Sequence, residues 1–403
     1  MTRLLVFFIA LVAVASCSVQ KQDPRVAQSI RNVESGLRPL TIGPQGLERE
    51  EGQATLSERM AALKVPGVSI AVINGDRIEW AKGYGVLRVG VDAAVTTKSI
   101  FEAASTSKLV TAAIALHYVQ EGALELDEDV NRYLKSWKLS ENEFTREKKV
   151  TLRLLLTHQA GLPTTNFGLD ENAPPPTLIQ VLNGEPPARN KPAVAEFVPG
   201  SRWQYSNVAY DVIQLLLEDV GGKPFERIAQ EIVFEPLGMK SSTFAYPLKS
   251  SLRSREAMPH DEEGAVGEPA MVPSALAHGG LTTTPSDLAR FTIELMLAYR
   301  GKSDRILSPD MARQMFHREL DLDPSIFGFP FGEGLGVLLR GSDRNFSFLH
   351  PGSNLPGTTC WLEACPESGQ GIVIMANGAR GDLLSLEILP AVISEYQWPV
   401  GQY

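Results

Sequence analysis

The chain has 403 residues, 43% hydrophobic and 21% charged, a balance that supports a large buried core and excludes disorder as the main state. Against 47 Asp and Glu stand 38 Lys and Arg, a net charge of -9, so no general basic field exists to hold a nucleic-acid backbone. Nucleic acid is therefore not an expected partner.

Met1-Thr2-Arg3 precedes an apolar stretch from Leu4 to Val14, the form of a secretory signal and too short to span a bilayer with polar flanks. It ends in Ala15-Ser16-Cys17, which resembles the lipobox of bacterial lipoproteins. The reading is a signal peptide over 1–16, a lipid anchor at Cys17, and export to the periplasmic or extracellular face of a bacterial envelope. The only membrane contact expected is through that N-terminal lipid. The alternative is a soluble secreted protein in which Ala15-Ser16 is a plain cleavage site. Residues 17–55 are polar with Pro39, Gly43, Pro44 and Gly46, and read as a tether leading into a helix that carries Leu56 to Leu63.

Val68 to Ile73 and Ile78 to Ala81 are β-rich runs around Asn74-Gly75-Asp76, a hairpin signal. Helical spacing follows from Leu109 to Gly122, Asp127 is placed to cap the stretch ending at Leu134, and Leu152 to Leu156 precedes a turn at Gly161 and Pro163. Residues 170–200, rich in Pro and Gly, read as a long surface excursion. Val208 to Val220 is a helix stopped by Gly221-Gly222, and Thr284-Pro285 opens another with Thr as N-cap. Strand signals return at Gly334 to Leu339, Phe346 to Leu349, Thr358 to Ala364 and Gly371 to Ala376, and a helix from Leu383 to Tyr396 closes the chain.

Strands at both ends around a helical middle predict an α/β (α+β) fold: a mostly antiparallel sheet flanked by helices and built from both termini, with an all-helical insert. The sheet domain is expected over 56–108 and 276–403, and the helical domain, with loops that shape a pocket, over 109–275. Cys360 and Cys365 sit five residues apart on one expected strand, roughly 16 Å at ~3.3 Å per residue and on opposite faces. A disulfide needs Cα atoms within about 7 Å, so two buried free thiols are expected.

The chain lacks a Gly-x-Ser-x-Gly elbow and a His-Glu-x-x-His helix, and its six scattered His without Cys-x-x-Cys give no metal-site pattern. Neither a metal nor an organic cofactor is expected. What it has is Ser105-Thr106-Ser107-Lys108 at the head of an apolar helix, placing a hydroxyl and an amine on one face. Desolvation there lowers the Lys pKa, so the amine can take the Ser proton, and the helix N-terminus supplies N–H groups for an oxyanion. Alone the pattern is weak, since Ser-x-x-Lys occurs about once by chance in a chain of this length. Two other segments join it. Tyr205-Ser206-Asn207 offers a phenol, which a Lys and a His on either side can hold partly ionised, and an amide. His350-Pro351-Gly352 ends an expected strand where Gly admits close backbone approach and the next N–H, that of Ser353, can face a carbonyl oxygen.

Ser105-x-x-Lys108, Tyr205-x-Asn207 and His350-x-Gly352, in this order, resemble the active-site elements of the serine β-lactamase and penicillin-recognising family, in its class C and esterase branch. Val65-Pro66-Gly67, Leu155 to Pro163, Phe234 to Met239 and Gly279-Gly280-Leu281 are similar to recurring stretches of that family, over residues 55 to 395. The resemblance implies Ser105 as acylated nucleophile, Lys108 as its activating amine and Tyr205 as proton shuttle. It implies Asn207 as an orienting amide and the N–H groups of Ser105 and Ser353 as oxyanion hole. The departure is His350, where lactam-hydrolysing members usually carry a Lys. A His of ordinary pKa ~6.5 is mostly neutral at pH 7; it can still hydrogen-bond Tyr205 but offers less to an anionic substrate. Trp203 and His158 read as packing and architecture, and His278, beside Gly279-Gly280, reads either as lining the site rim or as structural.

The expected function is a serine hydrolase acting on carboxylic esters through an acyl-enzyme, its partner a small-molecule ester, amide or lactam. The alternatives are a β-lactamase or D-amino-acid peptidase working on peptidoglycan fragments, and a catalytically weak scaffolding lipoprotein of the same fold.

Overall fold

The computed structural model describes residues 23–43, 46–164, 174–269, 274–326, 330–342 and 345–400. The leader and Cys17 lie outside them. Residues 23–55, expected as a tether, instead build structure. Asp23 accepts the Arg25 N–H at the head of α1 (Pro24–Ser35), with Pro24 in the first turn. A hairpin follows, β1 (Leu40–Gly43) paired with β2 (Gly46–Arg49), and then α2 (Leu56–Ala62) behind a Thr55/Glu58 capping box. The apolar face of α1 is narrow: Val26, Ile30, Val33 and then Leu37 are spaced four, three and four residues apart within polar sequence.

β3 (Gly67–Ile73) and β4 (Ile78–Gly85) form the expected hairpin, and β5 (Phe101–Glu102) leads into a 3-10 turn at Ala104–Thr106. The middle carries α3 (Ser107–Gln120), α4 (Glu143–Glu147), α5 (Leu152–Leu156), α6 (Leu178–Asn183), α7 (Asn207–Gly221), α8 (Phe225–Ala229), α9 (Glu235–Leu237) and α10 (Ser250–Arg253). β6 (Thr282–Thr283) pairs with β5, and α11 (Pro285–Tyr299) and α12 (Pro309–Met315) follow. The chain then adds β7 (Leu320–Asp321), β8 (Gly332–Gly334), β9 (Val337–Ser342), β10 (Asn345–Asn354), β11 (Thr358–Cys365), β12 (Gln370–Ala376) and α13 (Gly381–Tyr396).

The main sheet has the order β4-β3-β12-β11-β10-β9-β8-β7 and is antiparallel throughout, so strands from both ends of the chain meet at β3 and β12. Every residue of β11 is buried, because helices cover both faces. Along β3, Val68, Ile70 and Val72 join the core with α13 and α1, while Ala71 and Ile73 join the core that continues into α11 and the middle helices. Cys360 and Cys365 are buried free thiols divided between those two cores. α3 is apolar nearly all round and its residues Ser107 to Leu116 are all buried, which makes it the central post of the helical region.

Several expectations shift in detail. Asp127 pairs with Arg153 at 2.7 Å, and the cap before Leu134 is Asp129, which accepts the Asn131 N–H. In the stretch expected as a surface excursion, α6 buries Leu178, Val181 and Leu182 in the main core. The run Gly334 to Leu339 is a tight hairpin rather than one strand, since Gly336 takes a positive φ of 76° between β8 and β9. His350-Pro351-Gly352 does not end its strand: β10 leaves its register with β9 at Leu349 but stays paired with β11 through Asn354.

Candidate active site

Ser105 stands on the 3-10 turn that feeds α3, and the residue before it, Ala104, has φ +47°, a conformation that costs a non-glycine residue about 1–3 kcal/mol. The turn is fixed from three sides. Ser107 Oγ donates to Ala104 O at 2.5 Å and accepts the Leu281 N–H at 3.0 Å. Thr106 Oγ1 donates to the His350 carbonyl at 3.1 Å, tying the turn to β10. One turn on, Lys108 Nζ donates to Ser105 Oγ at 3.2 Å and to the His278 carbonyl at 2.7 Å. Lys108 is fully buried, and desolvation brings its pKa down to about 7 while the Asp211 carboxylate pulls the other way. Asp211 pairs through Oδ1 with His278 Nδ1 at 2.8 Å.

Tyr205 arrives on the segment before α7. Its two neighbours are both held by His158: the Gln204 N–H donates to the His158 carbonyl at 2.8 Å and the Ser206 N–H to its Nδ1 at 3.1 Å. The His158 ring also lies 4.4 Å from the Tyr205 ring. An Nδ1 that accepts leaves the proton on Nε2, and burial keeps this imidazole neutral, with its pKa well below the ordinary value. The Tyr205 phenol hydrogen-bonds Ser105, and Lys108 Nζ sits 4.9 Å from the centre of its ring. Burial pushes the Tyr205 pKa up, so the phenol holds its proton at rest; the expectation of a partly ionised tyrosine is not met because desolvation outweighs the nearby donor. Asn207 is the first residue of α7 behind the Ser206 cap.

β10 closes the site. A Cβ on Gly352 would lie 2.4 Å from Ala103 O, 2.9 Å from Thr106 N and 3.0 Å from Ser105 N, so only glycine lets this strand reach the nucleophile's turn. Ser353 follows at the cavity. His350 Nδ1 lies 2.7 Å from Pro351 O; a carbonyl only accepts, so this nitrogen carries the proton and Nε2 is left as an acceptor. Burial, with Lys108 nearby, lowers the His350 pKa to about 3. Among the described residues the expected hydrogen bond from His350 to Tyr205 is not formed, since the ring is turned to its own backbone.

A cavity of about 510 Å³ opens over Ser105, lined also by Tyr205, His158, His350, Gly352 and Ser353. Among the described residues its wall includes no Lys or Arg. It does include Trp203, which is more than packing: its Nε1 donates to Glu333 Oε2 at 3.3 Å. Glu333, on β8, was not singled out from the sequence. It lies in a short strand far from the motifs, and only the β8–β9 hairpin brings it to this wall. The motif residues do converge: Ser105, Lys108 and Tyr205 are in mutual contact, and β10 lies against the nucleophile's turn.

The Beta-lactamase family model matches residues 53–391. Penicillin-binding protein 4 of Amycolatopsis lactamdurans is 29% identical over 350 residues, covering 84% of this chain and 88% of that protein. The D-alanyl-D-alanine-carboxypeptidase/endopeptidase AmpH of Escherichia coli (strain K12) is 24% identical over 332 residues, covering 80% of this chain and 76% of that one. Among solved structures, the octameric penicillin-binding protein homologue from Pyrococcus abyssi superposes with a TM-score of 0.71 at 26% identity, over 84% of this chain and 75% of that chain. A family match over most of the length, on an antiparallel sheet flanked by helices, places this chain in the β-lactamase family of serine hydrolases.

Proposed function

We propose that the protein forms an acyl-enzyme at Ser105 and hydrolyses carboxylic esters. The observation that carries this reading is the contact of Ser105 Oγ with both a buried amine of pKa about 7 and a protonated phenol. Neutral Lys108 takes the Ser105 proton as Oγ bonds to the acyl carbon. The oxyanion so formed is held by the N–H groups of Ser105 and Ser353. Tyr205 passes its proton to the leaving alkoxide as the ester C–O bond breaks, and regains one from the Lys108 ammonium, with Asn207 orienting the bound acyl group. Water then attacks the acyl-enzyme along the same proton path in reverse, releasing the acid and restoring Ser105.

Esters are favoured over anionic lactams and peptides by the charge of the cavity. His350 stands neutral, and no cation lines the wall among the described residues to meet a substrate carboxylate. The second reading, action on β-lactams or D-alanyl peptides, is supported by what the relatives are named for. Export and anchoring through Cys17 belong to the proposal and rest on the leader alone.

Purified enzyme is assayed on p-nitrophenyl esters, nitrocefin and a D-alanyl-D-alanine peptide, with Ser105→Ala as control. Ester turnover that exceeds the other two and falls at least a thousandfold in the Ala variant, with unchanged circular dichroism, is the expected result. Efficient nitrocefin or peptide turnover without ester cleavage selects the second reading. Failure of a fluorophosphonate probe to label Ser105 in folded protein selects a scaffold.

A further inference from the structure

Glu333 is a carboxyl group that the reaction above does not use, buried to 2% exposure in the wall of the same cavity as Ser105. One oxygen, Oε2, takes the Trp203 indole N–H. Among the described residues Oε1 makes no hydrogen bond, and Glu333 lines the cavity. Glu333 lies near enough to Tyr205 and Tyr210 to act on both phenols, adding to the burial that pushes their pKa values up. A second carboxyl, Asp382 at the start of α13, lines the cavity too.

A carboxyl placed in a wall that holds no cation among the described residues is the inverse of a carboxylate-binding site. Desolvation raises the Glu333 pKa well above the usual carboxylate range, which favours the protonated form. An ammonium seated against Oε1 changes this: the proton leaves to solvent, and a charge-assisted pair forms in a low-dielectric pocket where neither an uncharged nor an anionic acyl group gains as much. We propose that Glu333 is a specificity-determining residue that selects acyl groups carrying a protonated amine. Trp203 is the positioning residue that fixes its carboxyl plane. The inference rests on the ester-hydrolase reading for its substrate and adds the charge class of the acyl group.

The test divides kcat/KM at pH 7 for the methyl esters of D-alanine, L-alanine, β-alanine and 6-aminohexanoate by that for the chain-matched unsubstituted esters, in wild type and Glu333→Gln. Gln keeps the shape and the acceptor for Trp203 but cannot ionise. The expected result is a preference above about tenfold for at least one amine ester in the wild type, reduced at least tenfold in the variant. A ratio that the substitution leaves unchanged, or a wild-type preference for monomethyl succinate over methyl propionate, overturns the inference.

Binding is read separately, by calorimetry of n-butylammonium in buffers of different ionisation enthalpy, on Ser105→Ala and Ser105→Ala/Glu333→Gln. Release of about one proton in the first and none in the second supports the assignment. No proton release in either overturns it. Because this readout needs no turnover, a protein that binds the amine with proton release yet cleaves no ester would sink the ester-hydrolase reading and leave the Glu333 assignment standing.

Discussion

At Ser105 the decisive quantity is the proton affinity of one amine. Lys108 is stripped of water on every side, which favours the neutral form; Asp211 opposes this, and the balance falls at about 7. The neighbouring imidazoles do not share the task, because burial lowers the proton affinity of both His158 and His350 and leaves them weak bases. Neutral Lys108 is the form that accepts the Ser105 proton, so kcat/KM for an uncharged ester rises with pH to a plateau above about 7. Below that it falls about tenfold per pH unit, as the ammonium takes over. Lys108→Ala should lose the limb together with about 10²-fold or more of the rate. A wild-type profile flat from pH 5 to pH 8 would remove Lys108 from the role of base. The Ser-x-x-Lys pair was readable from spacing. The protonation states of Tyr205 and His350 were not, since they depend on how much water the fold removes from each group.

Among the elements, the approach of β10 to the 3-10 turn of Ser105 sets the geometry of the site. The two are joined by Thr106 Oγ1 to His350 O, and Gly352 fills the gap where a side chain would strike backbone. Gly352→Ala puts a methyl 2.4 Å from Ala103 O, and since the obstacle is backbone, strand and turn must part. The expected outcome is a stability loss of about 1–3 kcal/mol in urea unfolding and a fall of about 10²-fold in kcat from misplacement of order 1 Å. An Ala variant with wild-type kcat would show that the strand does not position the nucleophile. That glycine's purpose was legible in His350-Pro351-Gly352 as a close backbone approach. The continuation of the strand past Pro351 was not, because pairing with β11 is a property of the partner's register.

For the whole molecule, the N-terminal segment is part of the fold. α1 packs Ile30 and Val33 against the core of α13, and Leu37 is fully buried just beyond it. Leu40 N–H donates to Glu387 at 2.8 Å, and Arg59 holds the same buried carboxylate through two contacts of 2.8 Å. Three buried aliphatic side chains amount to roughly 5 kcal/mol by transfer energies. A chain starting at residue 39 should therefore unfold at least about 5 °C below the full chain by differential scanning calorimetry. An unchanged midpoint would restore the tether reading of residues 17–55.

What the sequence determined by itself was local or periodic. The β-rich run of β3 with its Asn-Gly turn, the Thr284-Pro285 helix start, the free thiols on opposite faces of β11 and the one-turn Ser105–Lys108 pair all follow from short-range chemistry and the fixed repeats of the backbone. The three motif segments were also findable, because each carries its own chemistry. The tertiary structure decided what depends on distant partners. It closed β3 against β12 from opposite ends of the chain, folded α1 onto α13, and carried Glu333 to the cavity wall on a hairpin turned at Gly336. It also set the charge of each buried group, because desolvation is summed over neighbours from the whole chain and no stretch of sequence contains that sum.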